Sequence, residues 1–199
     1  MMEQTFYASY YQELKEAFES GSPSVRYNKD RAHNAVVMCF MFDHSNVVNM
    51  YCGQMSVLRK GFFEKINKSK EQDLSDLGNE LQNYLKVSLD KFLAREGTRL
   101  NILFESFSDS YTEDLISKKA MQVAQSSNKL QMRVLPEDLS IRKSLDHFTV
   151  SDQGMFRFED DKEQHSAICS FHDEKSTSKL RQNFQILYGL GNNVSISVE

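Results

Sequence analysis

The segment from Leu130 to Leu190 constrains the fold most. Its runs LQMRVLPED, HFTVS, MFRFE and SAICSF read as a strand, the two alternating arms of a hairpin and a further strand, and STSKLRQNFQILYGL reads as a covering amphipathic helix. Side chains alternate across a strand, so Phe148 and Val150 share one face and His147, Thr149 and Ser151 the other. The second arm sets Met155, Arg157 and Glu159 opposite Phe156 and Phe158. Each arm therefore has one apolar and one polar face, and the tip DDKEQ is too charged to be buried.

Upstream, Phe6, Tyr10, Leu14 and Phe18 recur every four residues, which predicts a helix over Glu3 to Ser20 ended by Gly21, Ser22 and Pro23. From Asn28 to Phe42, Ala32, Ala35, Val36, Cys39 and Phe40 fit a buried helix, although AVVMCFMF is apolar all round and leaves a strand open. VVNMYCG predicts the first core strand, and Met55 to Ile66 a helix with Val57, Leu58, Phe62 and Ile66 inward. Leu74, Leu77, Leu81, Tyr84, Leu85, Phe92 and Leu93 mark the clearest helix, closed by Gly97. TRLNILFES is a second strand, Tyr111 to Gln125 a helix burying Leu115, Ile116, Ala120, Val123 and Ala124, and LQMRVLP a third strand. Strands alternating with helices, then a hairpin, predict an α/β fold: a mixed β-sheet with flanking helices, preceded by a helical segment. The expected organisation is a single domain over 1–199, with 1–45 as the N-terminal helical segment, 46–190 as the α/β core and 191–199 as a tail.

A chain of 199 residues with 40% hydrophobic content and two prolines suits one globular domain. No apolar run approaches the ~18 residues that cross a bilayer, and MMEQTFYASYY lacks a basic region followed by an apolar core, so a cytoplasmic protein without membrane contact is expected. Cys39, Cys52 and Cys169 lie in apolar runs and read as reduced core thiols. The glycines are scattered at element ends and form no phosphate loop, no Gly-x-Ser-x-Gly elbow occurs, and no cofactor is implied. The spacing of His165, Cys169 and His172 hints at a metal, but on a strand His172 points away from the other two, so no metal site is expected. His33 and His44 read as structural histidines.

A net charge of −4 argues against tight binding of nucleic acid by the whole surface. Arg59, Lys60, Lys65, Lys68 and Lys70, interrupted only by Glu64, form the candidate nucleic-acid patch, or else the solvated face of a helix. Phe6, Tyr7, Tyr10 and Tyr11 give the first helix more aromatic surface than one contact face requires, and are candidates for docking a protein partner.

From Arg99 onward the order of elements resembles one half of a phospholipase D-like domain. That superfamily carries histidine, any residue, lysine, four residues and aspartate on one strand, then a Gly-Ser stretch and an asparagine before a covering helix. HFTVSDQG begins correctly at His147, but Thr149 stands at the lysine position, Asp152 comes two positions early and Gly154 occupies the aspartate position. Cys169 and Ser170 look like the Gly-Ser remnant, and Asn183 lies in a helix placed like the family's helix. The resemblance implies histidine attack on a phosphodiester, with lysine offsetting charge on the phosphoryl oxygens, and a second copy of the chain supplying the missing half. Loss of such a stabiliser typically costs ~10²–10³ in rate, and Arg157 on the neighbouring arm is the available substitute.

The candidate catalytic residues are thus His147, Thr149, Asp152, Arg157 and Ser170. The expected function is a non-catalytic interaction or regulatory module, an accessory subunit of a bacterial multi-protein system acting as a homodimer or with a protein partner. The alternatives are a homodimeric phosphodiesterase or nuclease working through His147, and a nucleic-acid-binding accessory factor. A cleft joining His147 to a cation favours catalysis, whereas a filled or flat polar face favours binding.

Overall fold

The computed structural model describes residues 5–69, 76–161 and 166–196; Lys70, Leu74, His165 and the KEQ of the charged tip lie outside them. Helix α1 (Phe6–Glu19) begins where Thr5 accepts from the Ala8 amide at 3.3 Å and stops before Gly21, whose φ of +65° no ordinary helix residue adopts. Strand β1 (Ser24–Asn28) follows, then α2 (Arg31–His44), capped by the Asp30 carboxylate and buried along most of its length. The AVVMCFMF run is thus a helix, apolar all round because it is enclosed on all sides. The N-terminal segment is not purely helical as expected: SVRYN, only five residues beside Pro23, enters the sheet as β1.

Strand β2 (Val47–Cys52) leads into a single 3-10 turn (Ser56–Leu58) and α3 (Lys60–Ser69). The continuous helix expected from Met55 is interrupted at Arg59, which is extended (φ −108°, ψ 144°) and bridges to Leu115, while Met55 at the start takes a left-handed φ of 54°. Helix α4 (Leu77–Ala94) carries the predicted leucine stripe inward. It meets α3 at very short range: the Gly78 amide donates to Asn67 Oδ1 at 2.6 Å, and a Cβ on Gly78 would lie 2.3 Å from the Phe63 carbonyl oxygen. Strand β3 (Arg99–Phe104) is followed by α5 (Ser110–Glu113), α6 (Lys118–Ser126) and β4 (Leu130–Val134). The single helix expected over Tyr111 to Gln125 is divided where Asp114 turns to hold Arg59 and the Lys60 amide bonds the Asp114 carbonyl; Val123 is exposed rather than inward.

The hairpin forms as β5 (Phe148–Ser151) and β6 (Met155–Asp161), joined by β7 (Ser166–Phe171), α7 (Glu174–Leu190) and a two-residue β8 (Asn192–Asn193) that draws the expected tail into the sheet. Strand order among the described residues is β1-β7-β6-β5-β2-β3-β4-β8, with β2, β3 and β4 parallel and the other pairs antiparallel. One face packs on α2 and α4 around Phe40, Phe42 and Phe92, and the other on α7 around Phe148, Phe156 and Phe184. The polar face of the hairpin is therefore not open to solvent: Thr149, Ser151, Arg157 and Glu159 are all buried under the helical layer.

Candidate functional site

Parallel β2 and β3 end beside the start of β5 and the end of β6, because Tyr51 pairs with Phe148 and Phe148 with Phe158. The residues just beyond these ends converge. His147 Nδ1 lies 2.7 Å from Glu159 Oε2, and His147 Nε2 lies 3.1 Å from Glu105 Oε2. Arg157 Nη2 donates to the other Glu159 oxygen at 3.4 Å. Backbone bonds fix the frame: the Glu105 amide donates to the Cys52 carbonyl at 2.8 Å and the Glu159 amide to the His147 carbonyl at 2.9 Å. Gly53 closes against the ring, since a Cβ there would sit 3.1 Å from His147 Cε1. The Tyr51 ring meets the imidazole edge-on at 5.7 Å between centroids.

These groups open on a cleft of about 480 Å³, to whose walls Arg31, Arg59, Lys65, Arg157, Glu105 and Glu159 all contribute. Its place at the carboxyl ends of the strands is where open α/β sheets bind ligands. The left-handed Met55 forms part of the wall, a strained conformation of the kind that collects at functional sites. Arg157 is 5% exposed and Glu159 likewise 5%. Burial pushes the Arg157 guanidinium down from its ordinary value and Glu159 holds it up; it remains a cation. Its Nε has no hydrogen-bond partner among the described residues. Each ring nitrogen of His147 thus faces a carboxylate oxygen at hydrogen-bond range, and Arg157 holds the far oxygen of Glu159. Burial above all, with Glu159 and Glu105 adding, pushes the Cys52 thiol in the cleft wall up to about 12, which disfavours the thiolate.

Three of the expected catalytic residues meet here. His147, Thr149 and Arg157 share the cleft, and Arg157 stands directly opposite Thr149 across β5 and β6. The other two do not. Asp152 accepts from the Asn46 and Val47 amides, both at 3.0 Å, and so anchors the opposite end of β2. Ser170 donates to the Ser24 carbonyl at 3.1 Å, fastening β1 to β7, and Asn183 is exposed on α7. The basic patch divides as well: Arg59 is held by Asp114 at 2.6 Å and lies over the Tyr111 ring, Lys65 reaches the cleft, and Lys60 and Lys68 are exposed outside its lining.

The α1 aromatics are engaged within the chain rather than displayed. Tyr10 donates to Asn28 Oδ1 at 2.6 Å and Tyr11 to Asp43 Oδ2 at 2.8 Å, Tyr7 stacks on Tyr84 at 3.8 Å, and Phe6 meets His33 edge-on. Among the described residues no group of His, Cys, Asp and Glu is placed to hold a metal, and His172 bonds the Phe18 carbonyl. Two members of the cluster, Glu105 and Glu159, were not among the candidates. Glu159 was readable as an acid two positions from Arg157 on the same face, and Glu105 as an acid at the carboxyl end of a predicted strand.

No family model matches the sequence, and no curated protein does. Solved structures do resemble it. TrmBL2, an archaeal chromatin protein with a novel mode of DNA binding, superposes with a TM-score of 0.54 at 12% identity over 85% of this chain and 54% of its own, so this chain spans about half its length. Nuc, a phospholipase D family member from Salmonella typhimurium, gives a TM-score of 0.51 at 12% identity over 87% of this chain and 99% of its own. NucT from Helicobacter pylori gives 0.51 at 8% identity over the same shares. The chain has a phospholipase D-like fold.

Proposed function

We propose that the chain is a non-catalytic phospholipase D-like module whose cleft binds a phosphate-bearing ligand, serving as an interaction or regulatory subunit in a reducing, cytoplasmic setting. The observation that carries this reading is the double engagement of His147. Attack on phosphorus needs a lone pair on the nitrogen facing the ligand, and Nε2 is instead bonded to Glu105. Thr149 supplies no charge where a lysine would, and Arg157 is committed to Glu159. Binding is nevertheless favoured. The side chains of Arg31 and Lys65 make no ion pair or hydrogen bond among the described residues, and with the unpartnered Nε of Arg157 they give the cleft donors for an anion.

A second reading, hydrolysis through His147, is favoured by one observation: the cleft joins that imidazole to Arg157, with Glu159 placed to orient Nδ1. Calorimetry with inorganic phosphate, and hydrolysis assays on bis(p-nitrophenyl) phosphate and DNA, separate the two. The expected outcome is phosphate binding that weakens at least ~10-fold when Arg31→Ala and Lys65→Ala are combined, with no hydrolysis by either the parent or His147→Ala. Hydrolysis by the parent that disappears in a folded His147→Ala chain would establish the enzyme instead.

The homodimer belongs to the same proposal. Helix α7 packs on β2 and β5, and on β1 Val25 is 47% and Tyr27 67% exposed, leaving an apolar edge for a second copy to cover. Light scattering at micromolar concentration is expected to give twice the chain mass; a mass of 23.1 kDa counts against the dimer.

A further inference from the structure

Three acids line the cleft, and they are not equivalent. Asp114 answers Arg59 at 2.6 Å and Glu159 answers Arg157 at 3.4 Å, so each neutralises a cation of the wall. Glu105 pairs with no arginine or lysine of the wall among the described residues. Its one side-chain partner among the described residues is His147 Nε2, the nitrogen that a ligand in the cleft would use as its donor. Its backbone is clamped to Cys52, whereas its side chain is 22% exposed and has a path to solvent. A carboxylate oxygen 3.1 Å from an imidazole N–H occupies the position that a phosphoryl oxygen would take.

We infer that Glu105 is a built-in occupant of the anion position, an internal competitor that must swing away from His147 before a phosphate group can bind. This rests on the phosphate-binding reading above. In the empty cleft Glu105 satisfies Nε2 and shields the cationic wall. When a phosphate enters, two anions cannot share that nitrogen at hydrogen-bond range in a partly desolvated cleft, and the one on the flexible, part-exposed side chain gives way. Glu105 thereby sets a threshold: it rejects weakly held anions and admits those that also engage Arg157, Arg31 and Lys65. It is a specificity-determining residue for the cleft and not part of its binding machinery.

The test titrates inorganic phosphate into the parent chain, Glu105→Gln and Glu105→Ala at one low ionic strength, with thermal unfolding to verify that each is folded. Removing the competing charge is expected to tighten phosphate binding at least ~10-fold in both variants. In the parent, ¹⁵N resonances of His147 are expected to show phosphate shifting Nε2 and leaving Nδ1 unmoved, a readout that needs no variant. Equal or weaker affinity in the variants, with clear binding by the parent, would overturn the role of Glu105 and leave the phosphate-binding reading standing. Binding by none of the three chains would remove that reading, and the role of Glu105 with it.

Discussion

Glu159→Ala is expected to destabilise the protein by about 3–5 kcal/mol, read as a fall in the urea midpoint without a change in slope. The loss arises less from a missing attraction than from what is left behind. Arg157 is buried beneath the helical layer, its side-chain hydrogen bond is to Glu159, and its Nε is already without a partner among the described residues. Without Glu159 a buried guanidinium loses its hydrogen-bonded counter-charge, and His147 Nδ1 loses its carboxylate partner at the same time. The double replacement Arg157→Met with Glu159→Leu is expected to recover most of the loss, because exchanging a buried pair for apolar groups of similar volume is often neutral. A single-variant loss below about 1 kcal/mol would show that the pair is far better hydrated than its burial implies.

The second large effect is expected at Gly78. Alanine normally stabilises a helix relative to glycine by roughly 1 kcal/mol, yet Gly78→Ala is expected to cost about 3 kcal/mol, as overpacking does when backbone must move. The added Cβ would meet the Phe63 carbonyl at 2.3 Å and Asn67 Oδ1 at 2.5 Å, forcing α3 from α4 and breaking the amide bond to Asn67. Gly61→Ala is the comparison, since a Cβ there meets only Asp114 Oδ2 at 3.9 Å and the propensity gain should survive. Thermal unfolding of both variants measures the contrast. A Gly78→Ala chain as stable as the parent would mean that the two helices do not cross at this separation.

The sequence carried the sheet well where periodicity was long or strict. The leucine stripe of α4 and the alternation in HFTVS and MFRFE placed those elements correctly, and register alone put His147, Thr149 and Arg157 on one face. It carried poorly what depends on distant partners. SVRYN has alternation but only five residues, too few to announce a strand without β7 to pair it. Asp152 and Ser170 looked chemical because of their motif positions, yet each spends its side chain on a backbone group of another strand. Glu105 escaped notice for a related reason: its meeting with His147 spans 42 positions of sequence and exists only because β3 and β5 flank β2. Whether the polar face was a cleft or a filled surface stayed open, because alternation reveals which residues share a face, not what covers it.

The position of β1 has a consequence for how the protein is made. It sits at one edge of the sheet and pairs with β7 alone, Ser24 opposite Phe171, while α1 is fastened to the strand by Tyr10 and Asn28. A chain emerging from the ribosome amino end first must therefore carry β1 unpaired until β7, 146 positions further on, has been synthesised, and contacts this distant are slow to form. During that interval the backbone groups that β1 later shares with β7 are unpaired, the kind of strand edge most prone to pair with another nascent chain. Any truncation that removes β7 leaves β1 without its partner, so a strand made early waits on one made much later to be secured.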